Sequence, residues 1–323
     1  MKGVVIGKFY PPHLGHNYLI DTALSHSDEV DVLVVDNPHY HIPSESRADW
    51  LRKQHPKAHV QIIPDIYDDD NSEAWAKHTI HFLGHRPDIV FSSETYGRPW
   101  AEAMKCRYVD VDIARTTVPI SGTKVRQDLL KSWKYLSDPV RSGLAIRIVI
   151  VGAESTGTTT LARDLANTLN TPWVPEIGRY YTESIMTTDY QWSNDDFYRI
   201  ARLQQAYENE IAAKSHGVIV CDTNTVATEL WQRRYMGETT TKMQHIASHD
   251  KADLYIITGD EIPFVQDGTR DGEHVRHRMH RWFEARIKKA GVPYIVVRGD
   301  PAARLRASKN AAEDIIAQKR KIT

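Results

Sequence analysis

The feature that constrains this chain most is the run Ile146–Val151, apolar at every position but Arg147, which passes directly into a turn, Gly152-Ala153-Glu154-Ser155-Thr156-Gly157, and then into a helix-length amphipathic segment, Thr159–Leu169. A short strand that is apolar on both faces must be covered on both faces, and a strand that enters a helix through a tight turn is half of a parallel crossover unit. The same alternation recurs. Val4–Ile6, Val30–Val35, Val60–Ile63 and Ile89–Ser92 read as strands, with helix candidates at His16–Ser25, Ser44–Gln54 and Ser72–Leu83; Val218–Cys221, Leu254–Thr258 and Tyr294–Val297 read as later strands. The expected class is α/β with two parallel-sheet domains, since 323 residues exceed what one core ordinarily serves. Ser137–Gly143 carries turn residues without a clear period, so the boundary is placed there, giving domains 1–142 and 143–323.

Composition removes several function classes. Lysine plus arginine total 41 against 42 acidic residues, a net charge of −1, so no basic surface for nucleic acid or membrane is expected. Two cysteines exclude a disulfide framework, and the 16 histidines show no metal-ligand spacing. No cleavable leader pattern and no membrane-length apolar run occurs, so a cytoplasmic protein is expected. Self-association is left open.

The segment Gly7-Lys8-Phe9-Tyr10-Pro11-Pro12-His13-Leu14-Gly15-His16 lies between the first strand and the first helix, where open α/β sheets bind ligands. Gly7 admits a phosphate to the backbone, two imidazoles flank a helix start, and Lys8 adds charge. With Ile120-Ser121-Gly122-Thr123-Lys124-Val125-Arg126 it resembles the paired signature of the nucleotidylyltransferases. That resemblance implies a Rossmann-like domain that transfers AMP from ATP. His13, His16, Lys8 and Arg126 would be catalytic, Gly7, Phe9, Ser121, Gly122 and Thr123 would bind ATP, and magnesium would accompany the triphosphate. Glu45-Ser46-Arg47-Ala48-Asp49-Trp50-Leu51 and Asn71-Ser72-Glu73-Ala74-Trp75 are similar to segments of nicotinamide-nucleotide adenylyltransferases. They imply nicotinamide mononucleotide (NMN) as acceptor and NAD as product, with Arg47 and Trp75 at the mononucleotide. A flat indole suits a pyridinium cation; core packing is the competing role for Trp75. Glu94 and Arg115 fall, by the same resemblance, on the adenosine side.

The turn Gly152–Thr160 has the setting of a P-loop, whose backbone N–H groups cradle phosphates, but Thr158 stands where the lysine of G-x-x-x-x-G-K-[ST] belongs. Gly152, Glu154, Ser155, Thr156, Gly157, Thr158, Thr159 and Thr160 are the expected ATP contacts. Val218-Ile219-Val220-Cys221-Asp222 ends a strand in aspartate, and Thr159 and Asp222 are the expected magnesium ligands, Asp222 with a catalytic role. This half, with Glu176-Ile177-Gly178-Arg179 and Asp267-Gly268-Thr269-Arg270, resembles the ribosylnicotinamide kinase domain of NadR-type bifunctional proteins. The resemblance implies that Glu176 and Arg179 hold nicotinamide riboside and that Arg270 contacts ATP. Arginines 276, 278 and 281 belong either to a phosphate-clamping lid or to a solvated helix. Because the first catalytic strand is read to begin at Gly3, no DNA-binding module is expected ahead of it. The missing lysine leaves two readings open: a second, kinase activity, or a nucleotide-sensing domain without catalysis beside an active adenylyltransferase.

Overall fold

The computed structural model describes residues 1–68, 71–185, 190–263 and 275–322, and they form two compact units, residues 1–143 with 320–323, and residues 144–319. In the first, β1 (Lys2–Gly7), α1 (Leu14–His26), β2 (Glu29–Asp36), α2 (Ser44–Gln54), β3 (His59–Pro64), α3 (Ser72–Leu83), β4 (Ile89–Ser92), α4 (Gly97–Met104), β5 (Arg107–Asp110) and α5 (Gly122–Gln127) follow in order. Its sheet runs β3-β2-β1-β4-β5 and every pairing is parallel. Period-two alternation sends neighbouring valines to opposite faces. Val5, Val32, Val34 and Phe91 pack with Leu19, Ile20 and Leu51 from α1 and α2. Val4, Leu33, Val35 and Val90 pack with Trp75, Trp100 and Met104 from α3 and α4. Each such buried side chain contributes roughly 1.5–3 kcal/mol.

The second unit holds β6 (Ile146–Val151), α7 (Thr158–Thr168), β7 (Trp173–Val174), α8 (Ile177–Ile185), α9 (Asn194–Lys214), β8 (Val218–Asp222), α10 (Thr225–Met236), α11 (Thr241–Ser248), β9 (Leu254–Thr258), α12 (Arg276–Ala290), β10 (Tyr294–Val297) and α13 (Pro301–Lys319), counting α6 (Asp138–Leu144) as the helix leading into it. Its sheet runs β10-β9-β6-β8-β7, again all parallel. All six residues of β6 are buried, Arg147 included. That guanidinium donates to Ala145 O at 3.2 Å and Asn209 Oδ1 at 3.0 Å, and its Nε stands 4.0 Å from the Glu208 carboxylate. Burial pushes Glu208 up to about 8.

Two expectations need correction. Ser137–Gly143 is not an irregular linker: Asp138–Leu144 is a helix, with Arg141 N–H donating to Ser137 O at 2.9 Å. Pro139 in the first turn loses no hydrogen bond there, which hides the helix from a turn-residue reading. Residues 320–323, expected with the second half, belong to the first unit. Among the described residues no helix is long and apolar enough to cross a membrane.

Candidate functional site

β1 stops at Gly7 where the sheet order reverses, with β2 on one side and β4 on the other, so the β1–α1 loop borders the crevice of the sheet. Phe9 adopts the left-handed region at φ 44°, an uncommon conformation for a bulky residue at a loop that must turn sharply. His13 caps α1. Its N–H donates to His16 Nδ1 at 3.2 Å, and the His16 N–H donates to His13 Nδ1 at 3.4 Å, a capping box made of two imidazoles. The rings stack with centroids 3.7 Å apart. Because both Nδ1 atoms accept, the ring proton sits on each Nε2, leaving two N–H donors that turn away from the backbone. Burial, then the Arg115 guanidinium, lowers His13 to about 3; burial, then His13 and Arg115, holds His16 well below the usual imidazole range. Neutral donors at a helix N-terminus suit an anionic phosphate.

The second motif folds onto the same loop. Arg126 Nη1 donates to Tyr10 O at 2.7 Å, its Nη2 to Thr123 Oγ1 at 3.2 Å, and its Cζ lies 5.1 Å from the Tyr10 ring centroid. A Cβ on Gly122 would stand 3.0 Å from Tyr10 O, so glycine permits the approach. Ser121 Oγ accepts the Lys124 N–H at 3.3 Å and caps α5. Segments more than a hundred residues apart are thereby joined at Tyr10.

The other expected residues of this unit take varied places. Lys8 is exposed. The Phe9 side chain is 1% exposed and meets His16 edge-on at 4.9 Å, so it supports that imidazole, and any contact of Phe9 with ATP comes from its backbone. Arg47 is fully buried: Nε donates to Ile42 O at 3.0 Å, and Nη1 to Val35 O at 3.1 Å and to Lys8 O. Its Nη2 has no partner, its Cζ lies 5.4 Å from the Tyr40 ring, and burial lowers its pKa. Arg47 thus fastens the loop and keeps one donor in hand. Trp75 is buried in the core cluster, with Nε1 donating to Asp68 O at 3.2 Å. Arg115 pairs with Glu94 at 2.6 Å.

In the second unit a cleft of ≈ 230 Å³ opens at the end of β6, bounded by the turn 152–159, Glu176, Arg179 and a set of aromatic rings. A Cβ on Gly152 would lie 2.0 Å from Thr258 Oγ1. Ser155 at φ 57° and Gly157 at φ 81° curl the turn so that α7 starts at Thr158. The Thr156 hydroxyl turns inward, donating to Ala153 O at 2.6 Å and meeting Thr258 Oγ1 at 2.7 Å, so any contact of Thr156 with ATP comes from its backbone. Asp222 stands at the end of β8, where the Thr159 and Thr158 hydroxyls lower its carboxyl against the larger effect of burial, and its Oδ1 is buried without a partner. An orphaned carboxylate oxygen beside two hydroxyls is a donor set for a hard divalent cation. Among the described residues no group of three or more His, Cys, Asp or Glu could hold a metal ion. Burial raises both Asp222 and Glu176 above the usual carboxylate range; Asp222 raises Glu176 further, and Arg179 lowers both.

The aromatic wall was missed by sequence reasoning. Trp192 stacks on Phe197 at 5.1 Å and on Tyr235 at 5.4 Å, and Trp231 lies 6.2 Å from Tyr235. Asp196 holds the Trp192 loop by accepting from Ser193, Tyr181 and Tyr190. The available signal was Trp231 and Tyr235 at i, i+4 spacing immediately after the strand ending in Asp222. Arg270, with residues 266–269, lies outside the described residues. Arg276 is 2% exposed and donates to Ile262 O, so it is not a solvated residue of α12.

Two parallel sheets, one with paired imidazoles at its switch point and one with a phosphate-type turn ahead of a strand-end aspartate, define a nucleotidylyltransferase fold joined to a P-loop kinase-like fold. A family model described as an AAA domain matches residues 147–304. The trifunctional NAD biosynthesis/regulator protein NadR of Escherichia coli strain K12 is 30% identical over 294 residues, 83% of this chain and 71% of that protein. A nicotinamide-nucleotide adenylyltransferase of Caldivirga maquilingensis is 24% identical over 177 residues, 47% of this chain and 96% of that protein. A crystal structure of NadR in complex with NR superposes with a TM-score of 0.71 at 20% identity, covering 100% of this chain and 96% of that one. The chain belongs to the NadR family of NAD-biosynthesis proteins.

Proposed function

We propose that the first unit transfers AMP from ATP to NMN, giving NAD and pyrophosphate. The observation that carries this is the junction of the two motifs at Tyr10: the Arg126 side chain bonded to the loop that presents His13 and His16. A 5′-phosphate oxygen of the mononucleotide attacks the α-phosphorus, the bond to the β-bridging oxygen breaks, and pyrophosphate leaves. The two Nε2–H donors, Ser121, Thr123, Lys8 and Arg126 meet the phosphates as charge moves onto the leaving group. Gly7 and Gly122 let those phosphates approach the backbone. Arg47, through its spare Nη2, and Trp75 serve the mononucleotide pocket. Release of pyrophosphate from ATP should depend on added NMN, and His16→Ala should lower its rate by roughly 10²–10³-fold. An unchanged rate would remove the assignment.

The second unit, in the same proposal, phosphorylates nicotinamide riboside. This is supported by a cleft that combines the phosphate turn, two carboxyls held above their usual range and an aromatic wall suited to a pyridinium cation. The riboside 5′-hydroxyl attacks the γ-phosphorus, its proton passes to the Asp222 carboxylate, and ADP leaves. Glu176 and Arg179 orient the riboside. Magnesium with ATP, held by Thr159 and Asp222, would neutralise phosphate charge. A specific observation favours a second reading, nucleotide sensing without catalysis: Thr158 replaces the lysine, and it brings no charge to the turn. The variant Thr158→Lys separates the two. In a working kinase it should raise riboside phosphorylation by roughly tenfold, the order of one added phosphate-facing charge. A wild-type chain that binds ATP yet forms no mononucleotide supports the sensing reading.

A further inference from the structure

α5 carries Arg126 on only six residues, Gly122–Gln127. A helix this short has little stability of its own, because isolated helices below about 12 residues are marginal in water. Its far end is held by a segment almost two hundred residues away. Ile322 N–H donates to Arg126 O at 3.0 Å, and Leu129 N–H donates to Arg320 O at 2.8 Å, two backbone bonds running in opposite senses. Arg320 grips Asp128, the C-cap of α5, with Nε on Oδ1 and Nη2 on Oδ2, both at 2.8 Å. This fork-on-fork geometry fixes direction as well as distance. Asp128 also accepts the Lys131 N–H at 3.1 Å, so the turn leaving α5 is tied to the same carboxylate.

We propose that the segment 320–322, through the Arg320–Asp128 fork and the Ile322–Arg126 backbone bond, is a positioning element that aims Arg126 at the β- and γ-phosphates. The inference rests on the adenylyltransferase reading of the first unit. Arg126 is fixed at two ends: its side chain by Tyr10 O, and its main chain by Ile322. Release of the main-chain end leaves the guanidinium tethered to the loop but free to swing, and displacement of about 1 Å at a reacting centre is costly. The loss falls on pyrophosphate recognition, because the bonds made by Arg320 and Ile322 involve neither Arg47 nor Trp75.

The test runs the full chain in reverse, from NAD and pyrophosphate to ATP and NMN, comparing wild type, Arg320→Ala, Arg320→Lys and a chain stopped after Lys319. In Arg320→Ala and the stopped chain, KM for pyrophosphate should rise roughly tenfold while KM for NAD stays within about twofold. Arg320→Lys should recover only part, since an ammonium has no fork. A merely structural role would lower the active fraction or raise both KM values together, and either pattern, or an unchanged KM for pyrophosphate, overturns the proposal. A wild-type chain that makes no ATP overturns the adenylyltransferase reading itself, and the inference with it.

Discussion

The imidazole pair shows how a local hydrogen-bond pattern sets chemistry. His13 and His16 each spend Nδ1 on the other's backbone N–H, and burial keeps them neutral. The consequence for stability has a definite sign. Between about 3 and 6.5 an unfolded chain carries a proton on His13 that the folded chain does not, so the contribution of His13 to stability falls as pH drops through that window and is flat above it. Replacing His13 by Gln should flatten the pH dependence of urea unfolding there by about 1.4 kcal/mol per pH unit. An unaltered slope would mean that the imidazole is protonated in the fold. The pair was legible in the sequence as a motif, but its neutrality was not. Neutrality depends on burial and on Arg115, which no spacing reveals. For the same reason the burial of the Phe9 side chain against His16 was not legible.

At the level of elements, strands and the turns that leave them were the legible part. Apolar runs ending in glycine located β1 and β6, and both loops lie at the ends of central parallel strands. What the sequence withheld was built from separate elements. The aromatic wall joins Trp192, ahead of α9, to Trp231 and Tyr235 on α10, and only packing brings them together. Tyr235→Ala should raise KM for nicotinamide riboside by roughly tenfold, about the worth of one stacked aromatic on a cation, and leave KM for ATP nearly unchanged. If KM for both substrates moves together, the wall shapes the whole turn and not the riboside pocket. The helix Asp138–Leu144 was missed because Pro139, Ser142 and Gly143 imitate a turn. Gly143 is needed where a Cβ would stand 2.2 Å from the Trp50 ring.

For the whole molecule, the cleft of the second unit is lined by residues of that unit, and the His13, His16 and Arg126 cluster is made by residues of the first. His16→Ala should therefore lower NAD formation from NMN by roughly 10²–10³-fold while leaving riboside phosphorylation within about twofold, and Asp222→Asn should do the converse. Loss of both activities in either variant would show that the crevices are coupled. The α/β class and two sheets followed from alternation alone, yet alternation carries no information on which unit the last few residues join. That assignment has a consequence in time. Synthesis proceeds from the N-terminus, and domains generally fold as their chains emerge. Residues 144–319 are complete before Arg320 and Ile322 exist, so the earlier-made unit must wait for the later-made one before α5 receives its clamp. Of the two units, the first to leave the ribosome is the last to be finished.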